Sequence, residues 1–169
     1  MSKSIPTYKD GEWTTTEFKS EEDLAKFVLS IFSEPGKYNF DETAFLFNAE
    51  ARRFNKDGFY CGSPFRSKDF MAYWDDQKKK CRNGVIYTVN KKTWFITRDY
   101  YMWLNFLPIY DKEEKKYGFA KVRDAQYHMA LYEILAELNN KHCAILKKRQ
   151  IASSYFHMGK VINTYWFEE

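Results

Sequence analysis

The sequence of 169 residues contains few cysteines, prolines and histidines: three, four and three of them, respectively. The cysteines are odd in number, far apart and form no CxxC pair, which excludes a disulfide framework and a zinc knuckle. The histidines show no HExxH motif and no other helical ligand spacing. We therefore expect structural or surface roles for all six side chains: Cys61, Cys81, Cys143, His128, His142 and His157.

Long hydrophobic runs are also absent. No segment reaches the roughly 18 apolar residues that a membrane-spanning helix needs. The polar N-terminal stretch "MSKSIPTYKDGEW" has no apolar core of the kind found in signal peptides. These absences predict a soluble, intracellular protein with no membrane partner.

Aromatic residues are abundant and make up 20% of the chain, beside 44% hydrophobic and 30% charged residues. The composition is that of one folded domain whose core is built largely on rings, and the length leaves room for an N-terminal appendage. The net charge of +4 is mild, but cations are concentrated at 78–82, 91–92 and 147–149. Such runs permit a polyanionic partner without requiring one, because they are usually solvated faces.

Helical signals dominate the first two thirds of the chain. Residues 1–19 lack periodicity and are expected to form a loose arm, whereas Ser20 and Asp23 resemble a capping box that opens a helix ending at Pro35-Gly36. Further helices are predicted at 41–55, from Ser67 to Asn83-Gly84, before Pro108, and from Asp124 to about Asn139. The alternating stretch "GVIYTVNKKTWFIT" predicts a β-hairpin, and "DKEEKKYG" a charged turn.

The last thirty residues have a different pattern. "HCAILKK" is a short apolar run suited to a buried strand, and "IASSYFHMGKVINTYWFE" has Ile151, Tyr155, Ile162 and Tyr165/Trp166 at helical spacing. A helix, strand, loop and helix in this order open an α/β unit with a parallel sheet. Because a lone strand of this type needs neighbours on both sides, the chain reads as cut off just after this unit begins.

The segment "KKRQIASS" lies at the predicted junction of strand and helix. A phosphate loop at such a junction needs cations, hydroxyls and a helix N-terminus, and this segment supplies Lys147, Lys148, Arg149, Ser153 and Ser154. A basic strand end followed by a serine N-cap explains the same residues. Residue chemistry alone leaves both interpretations open.

A second candidate, Gly159-Lys160, fails the test for a GxxxxGK[ST] loop. The first glycine position holds Ser154, the hydroxyl position holds Val161, and Gly159 lies two turns inside a helical pattern. We interpret this pair as part of a helix.

"ILKKRQIASSYF" resembles the deviant Walker A motif of bacteriophage terminase large subunits, which follows the pattern K-x-R-x-x-G-x-S. Lys147, Arg149 and Ser154 fall on its characteristic positions, whereas Ala152 replaces the glycine of the family. Upstream, "FAKVRDAQYHMALYEILAE" resembles the adenine-recognising region of that family, with Gln126 at the place of its base-reading glutamine. "EARRFNKDGFYCGSPFRSKDFMAYWDDQKKKCRNG" and "ITRDYYMWLNFLPIY" extend the similarity, which covers roughly residues 40–169.

The resemblance implies an α/β chain, mostly helical with a small β-hairpin region, that leads into the first strand, loop and helix of a P-loop ATPase domain. The expected divisions are an arm and helix at 1–36, a helical and hairpin region at 37–121, and an incomplete ATPase domain at 122–169. The implied ligands are ATP, with phosphate contacts from Lys147, Arg149, Gln150, Ser153 and Ser154 and adenine contacts from Gln126, and Mg²⁺ held in part by Ser154.

The implied function is ATP-driven packaging of viral DNA at the procapsid portal in the host cytoplasm. The implied partners are double-stranded DNA, the portal protein, the terminase small subunit and the remainder of the large subunit in a homo-oligomeric ring. The metal-binding Asp and the catalytic Glu of the family belong to a later strand, and its nuclease domain lies further on. We therefore expect no ATP hydrolysis by these 169 residues alone.

Two non-catalytic alternatives remain open. A nucleic-acid-binding module would stack bases on exposed rings such as Tyr100, Tyr101 and Trp103, although core roles are the usual explanation for such rings. A portal-docking module would expose Leu24, Phe27 and Ile31 as one apolar patch. Exposure of these side chains discriminates the alternatives.

Overall fold

The structure, a computed structural model, describes residues 2–34, 36–40, 43–111, 115–146 and 153–167. These residues form a mixed α/β fold with seven helices, a four-stranded sheet and a separate hairpin. The predicted fold class is confirmed at this level. The elements in chain order are β1 (Lys3–Lys9), β2 (Glu12–Phe18), α1 (Glu21–Ile31), α2 (Ala44–Phe47), α3 (Ala49–Asp57), α4 (Lys68–Asn83), β3 (Val85–Val89), β4 (Lys92–Ile96), α5 (Arg98–Phe106), β5 (Pro108–Asp111), β6 (Lys116–Phe119), α6 (Asp124–Leu138) and α7 (Ser153–Phe167).

The four-stranded sheet has the order β2-β1-β3-β4 and begins with the residues expected to form a loose arm. That expectation is wrong, because β1 and β2 form an antiparallel hairpin around Asp10 and Gly11, both at positive φ. Ile5 and Thr7 are buried while their sequence neighbours are more exposed, so β1 does have the period-2 pattern of a strand. β1 also pairs in parallel with β3, with Thr7 opposite Ile86.

The hairpin predicted at 85–96 is confirmed as β3 and β4, which turn at Asn90 and Lys91 with φ values of 51° and 63°. The paired strands β5 and β6, in which Tyr110 lies opposite Tyr117, were not predicted. They flank the stretch for which the sequence predicts a charged turn. This second hairpin is separate from the four-stranded sheet.

Serine caps begin two of the helices as the sequence predicts. The Ser20 hydroxyl accepts a hydrogen bond from the Asp23 N–H at the start of α1, and the Ser67 hydroxyl accepts one from the Phe70 N–H at the start of α4. α4 ends at Gly84, whose φ of 77° and ψ of −172° form a combination that is essentially restricted to glycine.

The single helix predicted at 41–55 is two shorter helices, α2 and α3, which meet at Asn48. Asn105 of α5 bridges this break from the interior, where it is 0% exposed. Its side-chain oxygen accepts hydrogen bonds from the Glu50 and Ala51 N–H groups, and its amide donates to the Phe47 and Tyr101 carbonyls. One buried amide thus satisfies backbone groups that the helix break leaves open.

α5 lies at the centre of the core. Every residue from Asp99 to Asn105 is buried, and Trp103 and Tyr100 are among the largest fully buried side chains. Helices α3, α4, α6 and α7 all contact α5. The expectation of a core built on rings is confirmed by this arrangement.

The strand predicted within "HCAILKK" is wrong for the part that the structure describes. Residues 141–146 have no regular secondary structure, and Leu146 is completely exposed. A strand is stable only when neighbouring strands pair with its backbone, and neither described sheet includes this segment.

The final helix is confirmed as α7, but its buried face differs from the predicted stripe. Phe156, Gly159 and Asn163 face the interior, whereas Tyr155, Tyr165 and Trp166 are exposed. No described helix is long and apolar enough to cross a membrane.

Candidate functional site

The predicted phosphate-contacting residues fall into two groups. Lys147, Arg149 and Gln150, together with Ala152, lie outside the described residues. Ser153 and Ser154 are the first two residues of α7; Ser153 is 5% exposed, and Ser154 is exposed. The Ser154 side chain therefore lies on the exposed surface of the helix N-terminus, and the Ser153 side chain does not.

Gln126 lies in the first turn of α6 and is 2% exposed. Glu133 lies seven residues further along the same helix, which is about two turns or roughly 10 Å of helical rise. Residues seven apart share a helix face, so Gln126 and Glu133 project from the same side of α6. Glu133 contacts His157, in the second turn of α7, so this side of α6 meets the final helix about two turns away from Gln126.

His157 of α7 contacts α6. Its Nε2 lies 2.8 Å from Oε1 of Glu133, and its Nδ1 lies 2.7 Å from the Ser153 carbonyl oxygen and 3.2 Å from the Ser153 hydroxyl. The donor and acceptor roles of the two ring nitrogens depend on the tautomer of His157. The contacts tie Glu133 of α6 to Ser153 at the start of α7.

Lys160, one turn after His157, joins carboxylates from two other helices. Its Nζ lies 3.3 Å from Oε2 of Glu133, 3.8 Å from Oε2 of Glu137 and 4.0 Å from Oδ2 of Asp99. Arg98 completes the group with a 2.7 Å contact from Nη2 to Oε1 of Glu137. We call these residues the ionic cluster, which comprises Arg98, Asp99, Glu133, Glu137, His157 and Lys160.

Within the ionic cluster, the pKa of the buried Asp99 carboxyl is shifted. Burial raises the pKa of its carboxyl above the usual range, while the hydrogen bond from Asn163 and the charges of Arg98 and Lys160 act in the opposite direction. The Asn163 amide donates to Asp99 Oδ1 at 3.0 Å and to the Cys81 carbonyl at 2.9 Å. Asn163 thereby links α7 to both α5 and α4.

A cavity of about 710 Å³ opens between the second half of α6 and the start of α7. It lies beside the first residues of α7, where the phosphate loop is predicted to end. Most of its lining residues are charged or polar, but the cavity surface also contains apolar area of at least equal size, so the lining alone does not select an ionic over an apolar ligand. The lining residues are Glu133, Ala136, Glu137, Asn140, Lys141, His142, Cys143, Ile145, Ser153, His157 and Lys160.

The described residues fit a phosphate group better than a magnesium ion. The N-terminus of α7 with the exposed Ser154 offers backbone N–H groups and a hydroxyl to an anion. For Mg²⁺, the described part of the chain contains no group of three His, Cys, Asp or Glu side chains that could hold a metal. The nearby carboxylates of Glu133 and Glu137 already face the cations of Lys160 and Arg98.

Two structural requirements of the non-catalytic alternatives are not met. Tyr100, Tyr101 and Trp103 are 0%, 2% and 1% exposed, so these rings cannot stack on nucleic-acid bases. On α1, Leu24 is 2% exposed and belongs to the core, and Phe27 is partly buried against it. These side chains therefore do not form the exposed apolar patch expected on α1.

The prediction that Gly159-Lys160 lies inside a helix is confirmed. Gly159 lies inside α7 and permits close approach to α5: a Cβ at this position would come within 2.5 Å of Leu107 Cδ1. Sequence reasoning missed the role of Lys160 in the ionic cluster. The available signal was the helical spacing of His157 and Lys160, but their acidic partners are more than twenty residues away.

Comparisons with known proteins give no further assignment: no protein-family model, no curated protein and no solved structure matches the chain.

Proposed function

We propose that the chain is the N-terminal part of a viral DNA-packaging terminase large subunit and contributes the ATP-binding loop of its motor. The observation that carries the proposal is the arrangement around α7. The basic run at 147–149 precedes the helix by a few residues, and the exposed Ser154 lies in its first turn. His157, in the second turn of α7, contacts the face of α6 that also carries Gln126, at Glu133 about two turns away from Gln126.

This arrangement has the elements that a triphosphate requires. A helix N-terminus presents N–H groups and a partial positive charge, which stabilise phosphate oxygens. Lys147 and Arg149 add full charges, and the planar guanidinium can bind two phosphate oxygens at once. In the proposed complex Ser154 is a hydroxyl ligand of Mg²⁺. Gln126 is 2% exposed in this structure and selects the base only after the surface over it opens.

The irregular segment 141–146 acquires a role in the same proposal. In the terminase family the residues before the loop form a strand of a parallel sheet. We propose that 142–146 adopt this conformation when further strands of the large subunit pair with them. Leu146, now fully exposed, would then be covered by the helices of that sheet.

The remaining partners follow from the proposed identity. Double-stranded DNA is the translocated substrate, the portal is the docking site in the host cytoplasm, and the small subunit delivers the DNA. A homo-oligomeric ring of large subunits surrounds the portal channel. Hydrolysis requires the later metal-binding Asp and the catalytic Glu, so these 169 residues bind nucleotide without turning it over.

Nucleotide binding by the purified chain tests the proposal. Titration of a fluorescent ATP analogue with excess Mg²⁺ should give saturable binding that unlabelled ATP displaces more effectively than GTP. Lys147→Ala and Arg149→Ala should each weaken binding at least about tenfold, because each removes a charge-assisted phosphate contact worth about 1.5–3 kcal/mol. Lys91→Ala, in the exposed β3–β4 turn, is the matched control and should leave the affinity unchanged.

Equal weakening by Lys91→Ala would indicate non-specific attraction of a polyanion and would contradict the proposal. So would an absence of binding that persists at millimolar nucleotide. A phosphate-release assay on the same samples should show no turnover. Turnover that Lys147→Ala abolishes would refute the claim that the later carboxylates are required.

A further inference from the structure

A second groove, distinct from the cavity beside the ionic cluster, runs between α4 and α7 with the end of α5 as its floor. Its volume is about 840 Å³, and its walls are overwhelmingly apolar. The rings of Tyr60, Trp74 and Phe106 pack together at one side, with centroid separations of 5.0–6.2 Å. At the other side the Arg82 Nε donates a 2.6 Å hydrogen bond to the Phe167 carbonyl. These contacts give the groove a defined shape.

The α7 wall of this groove exposes large apolar side chains. Val161, Tyr165 and Trp166 are 63%, 83% and 66% exposed, and Met71 on the α4 wall is 48% exposed. The opposite side of α7 packs in the interior, where Phe156 and Gly159 are buried against α5. A contiguous exposed apolar surface of this kind marks an interaction site in soluble proteins.

Lys78 and Arg82 place cations at the groove, and Asp75 places an acid beside Lys78. Among the lining residues Lys78 is charged and none is acidic. Arg82 adds a second cation at the α7 end, and α7 contains no Asp or Glu between Ser153 and Phe167. Asp75 lies 3.8 Å from Lys78 and offsets part of its charge, but both side chains are half exposed and screened by solvent. An occupant with acidic residues beside its apolar face is favoured.

The backbone requirements of the occupant indicate its conformation. Both walls are helices, whose N–H and C=O groups are hydrogen-bonded within each helix except for the carbonyls of the last turn, so an extended segment would find few backbone partners there. A helix satisfies its own backbone and can place apolar residues at positions i, i+3 or i+4, and i+7 into an apolar groove.

We propose that the groove between α4 and α7 docks an acidic amphipathic helix of a partner protein. Apolar side chains of that helix fill the space between Trp74 and Trp166, and its carboxylates face Lys78 and Arg82. The proposal depends on residues remote from the phosphate loop and is independent of the function proposed above.

Two synthetic probes of equal length test the proposal with the full chain. Both are fluorescein-labelled 18-residue amphipathic peptides with leucine and phenylalanine on one face; one carries glutamate on the other face, and the second carries lysine. Fluorescence anisotropy should show binding of the glutamate peptide at least about tenfold tighter than binding of the lysine peptide. Lys78→Glu should reduce or reverse this preference.

Matched variants locate the binding site. Val161→Asp, in the groove, should weaken binding of the glutamate peptide at least about tenfold. Leu29→Asp, at a similarly exposed apolar position on α1, should leave that binding unchanged. Circular dichroism and urea unfolding verify that both variants fold. Equal binding of the two peptides, or binding that Val161→Asp leaves intact, would overturn the proposal. Sedimentation showing a dimer that Val161→Asp dissociates would overturn it too, with a second copy as the occupant.

Discussion

Most apolar side chains are covered in one region of the molecule, whereas many are open in another. In the sheet body, which we define as residues 3–34 and 85–106, Val28, Val85 and Ile96 are each 0% exposed. In the C-terminal region, residues 139–146 and 153–167, Leu146 is completely exposed and Tyr165 is 83% exposed. Both regions are rich in apolar residues, so burial depends on which elements lie alongside them rather than on hydrophobicity alone.

The backbone shows the same contrast. β1 is paired on both sides, with β2 and β3, and β3 is paired with β1 and β4. Residues 141–146 belong to neither described sheet. The inner strands of the sheet body are thus paired on both sides, whereas the C-terminal region presents surfaces and a segment that suit additional partners.

The largest expected loss of stability follows a substitution in the sheet body, at the junction of α4 and β3. Gly84→Ala should lower the free energy of unfolding by about 4 kcal/mol, the sum of backbone strain and overpacking. An added Cβ would lie 2.6 Å from the Ile96 carbonyl oxygen and 2.8 Å from the Phe95 ring. Urea unfolding measured by tryptophan fluorescence gives the value.

Gly58→Ala is the matched control for this prediction. Gly58 also has a positive φ, of 79°, but a Cβ there meets nothing within 4 Å. It should cost only about 1 kcal/mol, the conformational penalty alone. Equal losses in the two variants would contradict the steric argument.

Asn105→Ala should lower the free energy of unfolding by about 3 kcal/mol, because it removes four hydrogen bonds and leaves buried backbone groups without partners. Asn139→Ala, in the C-terminal region, also removes an amide that donates to a carbonyl, here that of Leu135. Asn139 is exposed, so water replaces the bond and the change should stay within about 0.5 kcal/mol. Similar losses from both variants would show that the two regions respond alike.

The ionic cluster joins the two regions. The pH dependence of the stability of Asp99→Asn, compared with that of the unaltered protein, tests the role of the buried Asp99 carboxyl. Since burial raises the pKa of Asp99, the native state binds its proton more readily than the unfolded chain does. The charged form therefore costs stability at neutral pH, and this cost disappears as the pH falls through the raised pKa toward the ordinary value near 4. Relative to Asp99→Asn, the unaltered protein should gain stability from pH 7 to pH 4. Parallel stability curves would contradict the assignment.

The smallest effect is expected on the outer face of α7. Tyr165→Ala should change the free energy of unfolding by no more than about 0.5 kcal/mol, because the side chain is largely in solvent. Chemical denaturation of the isolated chain checks this value. A loss above about 1 kcal/mol would mean that this face is packed, and the contrast between the two regions would be weaker than described.

Local signals in the sequence were sufficient for much of the helical structure. The caps at Ser20 and Ser67, the glycine stop at Gly84 and the turn at Asn90-Lys91 each act within a few residues, and each is confirmed. The hairpin at 3–18 was missed because threonine, lysine and glutamate dominate its exposed positions, and its apolar alternation is limited to a few residues.

Long-range relationships could not be predicted in this way. The apolar run at 142–146 has the composition of a strand, but composition does not supply a neighbouring strand. The ionic cluster brings together residues 98–99, 133–137 and 157–160 through helix packing that no local pattern records. Its nearest sequence signal, the spacing of His157 and Lys160, predicts a shared helix face without identifying the acids opposite it.

The parallel pairing of β1 with β3 has a consequence for synthesis of the chain. Tyr8 lies opposite Tyr87, so nearly eighty residues must leave the ribosome before the first strand meets its inner neighbour. Until then β1 and β2 are a two-stranded hairpin, which is marginally stable by itself. The sheet therefore closes late during translation, and α1, which follows the hairpin directly, is made before the β4 surface on which it rests.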